Sequence, residues 1–129
     1  MPSPMELRSE STPERLIVLR MGVNTLSDAA LGRACLRAYD EWGLHAFSVL
    51  ELPDGDWEHL ATVIPVVRRR PKALEASGSE LLRAGFPLLP TRGHLHWSVV
   101  LSQPTPAQFS RVRGHFRGPI DIPVWEGAR

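Results

Sequence analysis

Hydrophobic and polar residues alternate most regularly in the segment GHLHWSVVLS, residues 93–102. In an extended strand, successive side chains point to opposite faces, so His94, His96 and Ser98 share one face. The other face is apolar and consists of Leu95, Trp97, Val99 and Leu101. The pattern predicts a strand with one face in the core. The two imidazoles then lie either in a site or on the solvent side of a half-buried sheet.

Four further segments are interpreted, three as strands and one as a loop or edge strand. Residues 15–22 and 45–52 are short apolar runs, and the second is typical of a strand covered on both faces. The tail IDIPVW, residues 120–125, predicts an edge strand because Pro123 cannot donate to a ladder. Residues 66–76 carry RRRPK and are interpreted as a basic loop or a short edge strand.

Apolar residues recur at helical spacing over residues 24–43, which predicts the longest helix, with Thr25 as its cap and Gly43 at its end. Its apolar stripe consists of Leu31, Cys35, Ala38 and Trp42. Three shorter helices are predicted after the capping residues Asp56, Ser79 and Thr105. The last of these starts Thr-Pro-Ala-Gln, a combination of three helix-start signals.

This order of elements predicts an α+β fold, a small mixed or antiparallel sheet with helices packed mainly on one face. A ferredoxin-like arrangement is one possible version. A chain of 129 residues fits one domain, which we expect over residues 15–129. Residues 1–14, rich in Pro, Ser and charge, are predicted to form a mobile arm.

Composition adds limits on location and partners. The 15 Lys and Arg residues nearly balance the 14 Asp and Glu residues, for a formal net charge of +1, so the overall charge does not favour nucleic acid or membrane binding. Cys35 is the only cysteine, which excludes an intramolecular disulfide and favours the cytoplasm. No apolar run approaches the roughly 20 residues that cross a bilayer, and no secretory signal is evident, so no membrane association is expected.

Histidine supplies the sharpest candidate chemistry. His94 and His96 could act as acid and base near neutral pH, and His115 on the last helix would join them if that helix lies beside the strand. A metal site would need further ligands, and the other candidates, which are His45, His59, Glu51 and Asp121, follow no recognised ligand spacing. We therefore predict catalytic candidates here, with no metal and no cofactor.

Arginines supply candidate phosphate-binding groups, because a guanidinium fork matches phosphate oxygens. Two groups are candidates, Arg68, Arg69 and Arg70 in the basic segment and Arg111, Arg113 and Arg117 around the last helix. Metal-independent RNA cleavage would need a base, an acid and such cations on the phosphorane. Solvated surface arginines on an amphipathic helix would look the same in the sequence.

The four tryptophans raise the possibility of base stacking. Trp42, Trp57 and Trp97 are in register with apolar stripes and are assigned to the core. Trp125, close to the C-terminus, is the tryptophan that would be exposed, and there it would anchor a protein partner.

The segments LLRAGFPLLPT and HLHWSVVL, with VLRMG and FSVLEL before them, resemble small uncharacterised actinobacterial proteins of mobile-element type. The resemblance covers most of residues 16–123. It implies one domain and a toxin or defence role, and it assigns no functional residue.

Two functional hypotheses follow. In the first, a small cytoplasmic protein engages RNA or another phosphate-bearing ligand, with metal-independent ribonuclease activity as its catalytic form. In the second, the protein is a non-catalytic protein interaction module or a subunit of a larger assembly. The sequence leaves open whether the protein is an enzyme and whether it is a monomer or a homodimer.

Overall fold

Six strands and four α-helices make up the part of the chain that the computed structural model describes, residues 12–128. The strands are β1 (Ile17–Met21), β2 (Ala46–Glu51), β3 (Lys72–Ser77), β4 (Leu88–Leu89), β5 (His96–Val100) and β6 (Arg117–Asp121). The helices are α1 (Asp28–Trp42), α2 (Trp57–Val63), α3 (Gly78–Arg83) and α4 (Pro106–Arg113). The strands form one antiparallel sheet in the order β4-β5-β2-β1-β3-β6. The predicted α+β class is confirmed, and the element order is not the β-α-β-β-α-β of a ferredoxin-like arrangement.

The sheet separates two apolar cores, because adjacent strand residues point to opposite faces. In β1, Val18 belongs to the first core and Leu19 to the second. Helices α1, α3 and α4 cover the first core with Leu31, Cys35, Leu81, Phe109 and Val112. Helix α2 covers the second core with Leu60 and Ala61, aided by Ile122 and Val124 of the tail. Most of the helical cover thus lies on one face, as predicted.

Helix caps show where local sequence determined the structure. Gly43 ends α1 with φ of 70°, and the side chains of Asp56 and Thr105 cap α2 and α4, all as predicted. Two predicted caps were wrong, since Ser27 caps α1 and Ser77 caps α3. Ser27 directly precedes α1, two residues after Thr25, whereas Ser79 lies inside the first turn of α3, so Ser77 before it accepts the backbone N–H bond.

The basic segment departs from its prediction. Residues Pro65–Arg69 form a short 3-10 helix, and β3 follows at once. Strand β3 lies between β1 and β6, so it is an interior strand and not the edge strand or loop that the sequence suggested. The edge strand next to β3 is β6, which begins at Arg117, three residues before the predicted tail strand.

The apolar residues of the segment 93–102 do not all lie on one face of the sheet, although their alternation predicted that they would. Leu95 has φ of 65° and lies in the second core, whereas Trp97, Val99 and Leu101 lie in the first. Ser98 is buried and shares a hydrogen bond with Thr91. Strand β5 therefore has no solvent face of the kind that the alternation predicted, because the sheet is covered on both sides.

The predicted mobile arm, residues 1–14, falls mostly outside the described residues. Its last residues are described: Pro13 and Glu14 belong to a 3-10 helix, Pro13–Arg15, that contacts the start of α3. Within residues 12–128, no helix is both long and apolar enough to span a bilayer.

Candidate functional site

Strands β1 and β2 separate soon after they meet, and the side chain of Arg20 occupies the opening. The ladder between them consists of two residue pairs, Val18 with Glu51 and Leu19 with Leu50. Beyond it, Arg20 Nη1 donates hydrogen bonds to the Ser48 carbonyl (2.7 Å) and to Ser48 Oγ (3.2 Å). The guanidinium carbon lies 5.7 Å from the centre of the Phe47 ring. A cationic side chain thus replaces main-chain pairing at this point of the sheet.

This opening leads into a cleft of about 460 Å³ between α1 and the sheet, a volume typical of small-molecule sites. We call it the arginine cleft. Its lining includes Arg20, Arg33, Arg37 and Arg92, together with Thr25 and Trp42. Arg20 is half-buried, and the other three arginines are exposed. The arrangement places positive charge both deep in the cleft and at its mouth.

The positive charge of the arginine cleft is poorly neutralised by the described part of the chain. Arg92 pairs with Glu41 at 2.7 Å, but among residues 12–128 no Asp or Glu lines the cleft or pairs with Arg20, Arg33 or Arg37. Burial lowers the pKa of Arg20, and the positive charge of Arg37 lowers it further. An anion in the cleft would relieve this repulsion.

Two uncharged side chains complete the arginine cleft. The Thr25 hydroxyl is buried and has no hydrogen-bond partner within the described residues. Trp42, which the helical pattern assigned to the core, is 41% exposed, so that prediction was wrong. It is the last residue of α1, directly before the turn at Gly43. The wall of the cleft thus holds a buried hydroxyl without a described partner and an exposed aromatic side chain beside the arginines.

The structure does not bring the three candidate histidines together. His94 is exposed in the turn before β5, and its ring lies 6.4 Å from that of His59. His96 stands opposite Leu50 of the second core, and its Nδ1 lies 3.1 Å from the His94 carbonyl oxygen. His115 instead packs against Phe86 of the first core, at 6.1 Å between ring centres. The sheet lies between His96 and His115, because helix α4 packs on the opposite face.

His96 does come close to one arginine. A cavity of about 210 Å³ next to the second core is lined by His96, Arg20 and Ser48. Arg20 therefore lies between this cavity and the arginine cleft. The described residues hold no group of three or more His, Cys, Asp or Glu side chains suited to a metal ion.

The candidate phosphate-binding arginines mostly have intramolecular partners. Arg68 pairs with Glu58, Arg113 with Asp28 and Arg117 with Glu75. Arg111 donates to the Ala84 carbonyl and lies over the Phe86 ring. Arg69 and Arg70 are exposed and form no ion pair within the described residues. Of the six, these two present free cations to solvent.

Trp125, the candidate partner anchor, is half-buried and packs against the second core. Ile122 and Val124 of the same tail are buried there. The tail therefore completes the cover of the sheet, and the accessible indole of this protein is that of Trp42.

Sequence reasoning missed the arginines of the cleft because α1 was interpreted only through its apolar stripe. Arg33 and Arg37 lie outside that stripe. One signal was present, since like charges four residues apart destabilise an isolated helix and need a compensating reason. A second was Arg20, a charge inside the otherwise aliphatic segment RLIVLRMG. Neither signal could reveal that β1 and α1 meet at one cleft.

Fold and site together define a small α+β protein with a covered antiparallel sheet and an arginine-lined cleft beside its longest helix. No protein-family model matches the chain, and neither a curated protein nor a solved structure shows significant similarity to it.

Proposed function

We propose that this protein binds a phosphate-bearing ligand, with RNA as the first candidate, in the arginine cleft. The observation that carries the proposal is that Arg20, Arg33 and Arg37 line one cleft without a carboxylate partner in residues 12–128. Uncompensated cations held together repel one another, so such a group is stabilised by an anion. The cytoplasmic location predicted from the single cysteine is part of this proposal.

Phosphate suits these side chains better than a single carboxylate does. A guanidinium presents a planar fork of donors, and several forks can share the oxygens of one phosphate. Arg20 Nη1 is already bonded to Ser48, which fixes the orientation of the guanidinium before any ligand arrives. A fixed donor loses little conformational entropy on binding, and this favours affinity.

Binding is proposed ahead of RNA cleavage. The described residues that line the arginine cleft include no His, Asp, Glu, Lys or Cys, which are the usual groups for proton transfer. Cleavage would need His96 to reach a substrate from the smaller cavity beyond Arg20. The ribonuclease and toxin or defence roles therefore stay predictions from the sequence.

The test is fluorescence anisotropy of a short labelled single-stranded RNA of mixed sequence, titrated with wild type and variants. Arg37→Gln should weaken binding about tenfold, because one charge-assisted contact is lost. Arg83→Gln is the matched control, since Arg83 is an exposed helical arginine whose described hydrogen bond is to the Ser79 carbonyl of its own helix. It removes the same charge and should leave affinity nearly unchanged.

Equal losses in Arg37→Gln and Arg83→Gln would contradict the proposal, because they would show a diffuse charge effect without a site. A wild-type protein that binds no RNA and no inorganic phosphate would also contradict it. In that case the protein interaction module becomes the leading hypothesis.

A further inference from the structure

We infer that the ligand of the arginine cleft is a nucleotide, whose phosphate is held by Arg20 and Arg37 and whose base stacks on Trp42. This inference rests on the proposed function, because it names the class of phosphate-bearing ligand. The nucleotide can be free in solution or can be the terminal unit of a single-stranded RNA, since both present the same phosphate, sugar and base.

The first reason is the position of Trp42 within the arginine cleft. Trp42 lines the same cleft as the arginines and is 41% exposed, so its ring is available to a ligand. Within residues 12–128 it contacts no other ring, whereas the nearby Tyr39 already stacks on His45 at 4.8 Å. An aromatic surface beside bound phosphate is the arrangement by which proteins hold single-stranded nucleotides without reading sequence.

The second reason is spacing. Arg37 and Trp42 are five residues apart in one helix, which corresponds to about 7.5 Å along its axis. A ribose can bridge such a separation between a phosphate and a base. Because both residues belong to one helix, the relative position of their backbones is set before binding.

The third reason is the apolar part of the lining. Ala38, Ala46 and Phe47 line the cleft together with Trp42. Ala46 and Phe47 are already buried, so a free inorganic anion would use the arginines alone and leave Ala38 and Trp42 in contact with water. A planar base would cover them, and burial of apolar surface favours binding.

Isothermal titration calorimetry with three small ligands tests the inference. Inorganic phosphate, ribose 5-phosphate and adenosine 5′-monophosphate share the phosphate and differ in the sugar and the base. For wild type, the nucleotide should bind about tenfold more tightly than ribose 5-phosphate, as expected for one stacked base. Trp42→Leu should remove this difference while the affinity for ribose 5-phosphate is retained. Arg37→Gln should weaken both organic ligands.

Binding experiments with RNA distinguish a free nucleotide from the terminal nucleotide of a single-stranded RNA. A 5′-phosphorylated RNA that binds more tightly than the same RNA with a 5′-hydroxyl, and that loses this advantage in Trp42→Leu, identifies a terminal nucleotide. A free nucleotide that binds as tightly as either RNA identifies a small-molecule ligand. Both results support the inference.

Other outcomes overturn it in distinguishable ways. If nucleotide and ribose 5-phosphate bind equally to wild type, and Trp42→Leu binds RNA as wild type does, base stacking is wrong while phosphate binding stands. If none of these ligands binds, the proposed function fails together with the inference.

Circular dichroism melting of Trp42→Leu shows whether the variant is folded. The variant Trp42→Phe, which keeps a smaller ring, should retain part of the preference for the nucleotide.

Discussion

The Arg20 guanidinium donates hydrogen bonds to both the carbonyl and the hydroxyl of Ser48, at the place where the β1–β2 ladder ends. Continuing the register of that ladder would put Met21 opposite Ser48. A side chain thus satisfies a carbonyl that neighbouring backbone leaves unpaired. The same side chain forms the inner end of the arginine cleft, so one residue links the sheet to the candidate site.

Arg20→Met should therefore destabilise the protein. The substitution keeps much of the side-chain volume and leaves the Ser48 carbonyl without its donor, and we expect the free energy of unfolding to fall by ~1–3 kcal/mol. Urea denaturation followed by circular dichroism measures this loss. Arg33→Met is the control, since Arg33 is exposed and should change stability by less than about 0.5 kcal/mol. Equal stability of the two variants would contradict the role given to Arg20.

The buried thiol of Cys35 should make the free energy of unfolding depend on pH in the alkaline range. Burial raises the pKa of this thiol above its ordinary value of 9.0, and the charge of Arg20 opposes the shift without cancelling it. Above the ordinary value, the unfolded chain loses the thiol proton while the folded chain keeps it. The free energy of unfolding should therefore decrease as pH rises through that range, whereas at lower pH this contribution is fully present.

The measurement is urea denaturation of wild type and Cys35→Ala at several pH values between neutrality and mild alkalinity. The variant lacks the thiol, so its stability should fall less steeply with pH, whatever its stability at neutral pH. Parallel curves for the two proteins would show that Cys35 does not contribute. All other titratable groups are present in both proteins and cancel in the comparison.

Much of the fold could be predicted because its signals are local. The turn at Gly43, the cap at Asp56 and the start of α4 at Thr105 depend on residues within one helical turn, and all three were correct. The place of β3 as an interior strand, between β1 and the edge strand β6, could not be predicted, because strand order depends on contacts between distant segments. The left-handed conformation of Leu95 likewise has no signal in the sequence, because glycine is the residue typical of it.

The candidate site was harder to predict than the fold. His96 and His115 looked compatible in the sequence because strand and helix are adjacent along the chain, yet the helix packs on the other side of the sheet. Arg20 and Arg37 looked unrelated, although the opening between β1 and β2 places them in one cleft. A site assembled from separate elements has no periodic signal of its own.

Trp125→Ala distinguishes a structural tryptophan from a partner anchor. Because the indole packs against the second core, we expect the free energy of unfolding to fall by ~1–3 kcal/mol, part of the cost of truncating a fully buried tryptophan. Trp42→Ala is the matched control and should cost less, since Trp42 is more exposed. Denaturant titration compares them, and light scattering on a sizing column reports any change in oligomeric state. A stable Trp125→Ala protein that loses an assembly would restore the partner-anchor hypothesis.

The histidines supply the last prediction. His115 contacts Phe86 on α4's side of the sheet and lies away from the arginine cleft, so His115→Gln should leave RNA affinity unchanged and cost less than about 1 kcal/mol of stability. The informative comparison is His96→Ala, because His96 shares the smaller cavity with Arg20. Labelled RNA incubated with each protein in the presence of a chelator, and resolved on a denaturing gel, reports the integrity of the strand, and fluorescence anisotropy on the same variants reports binding. Intact RNA with all proteins agrees with a binding function, since proton-transfer groups are absent from the described lining of the cleft. Chelator-resistant cutting by wild type that is lost in His96→Ala and kept in His115→Gln would instead show that RNA reaches His96 in the smaller cavity and is cleaved there.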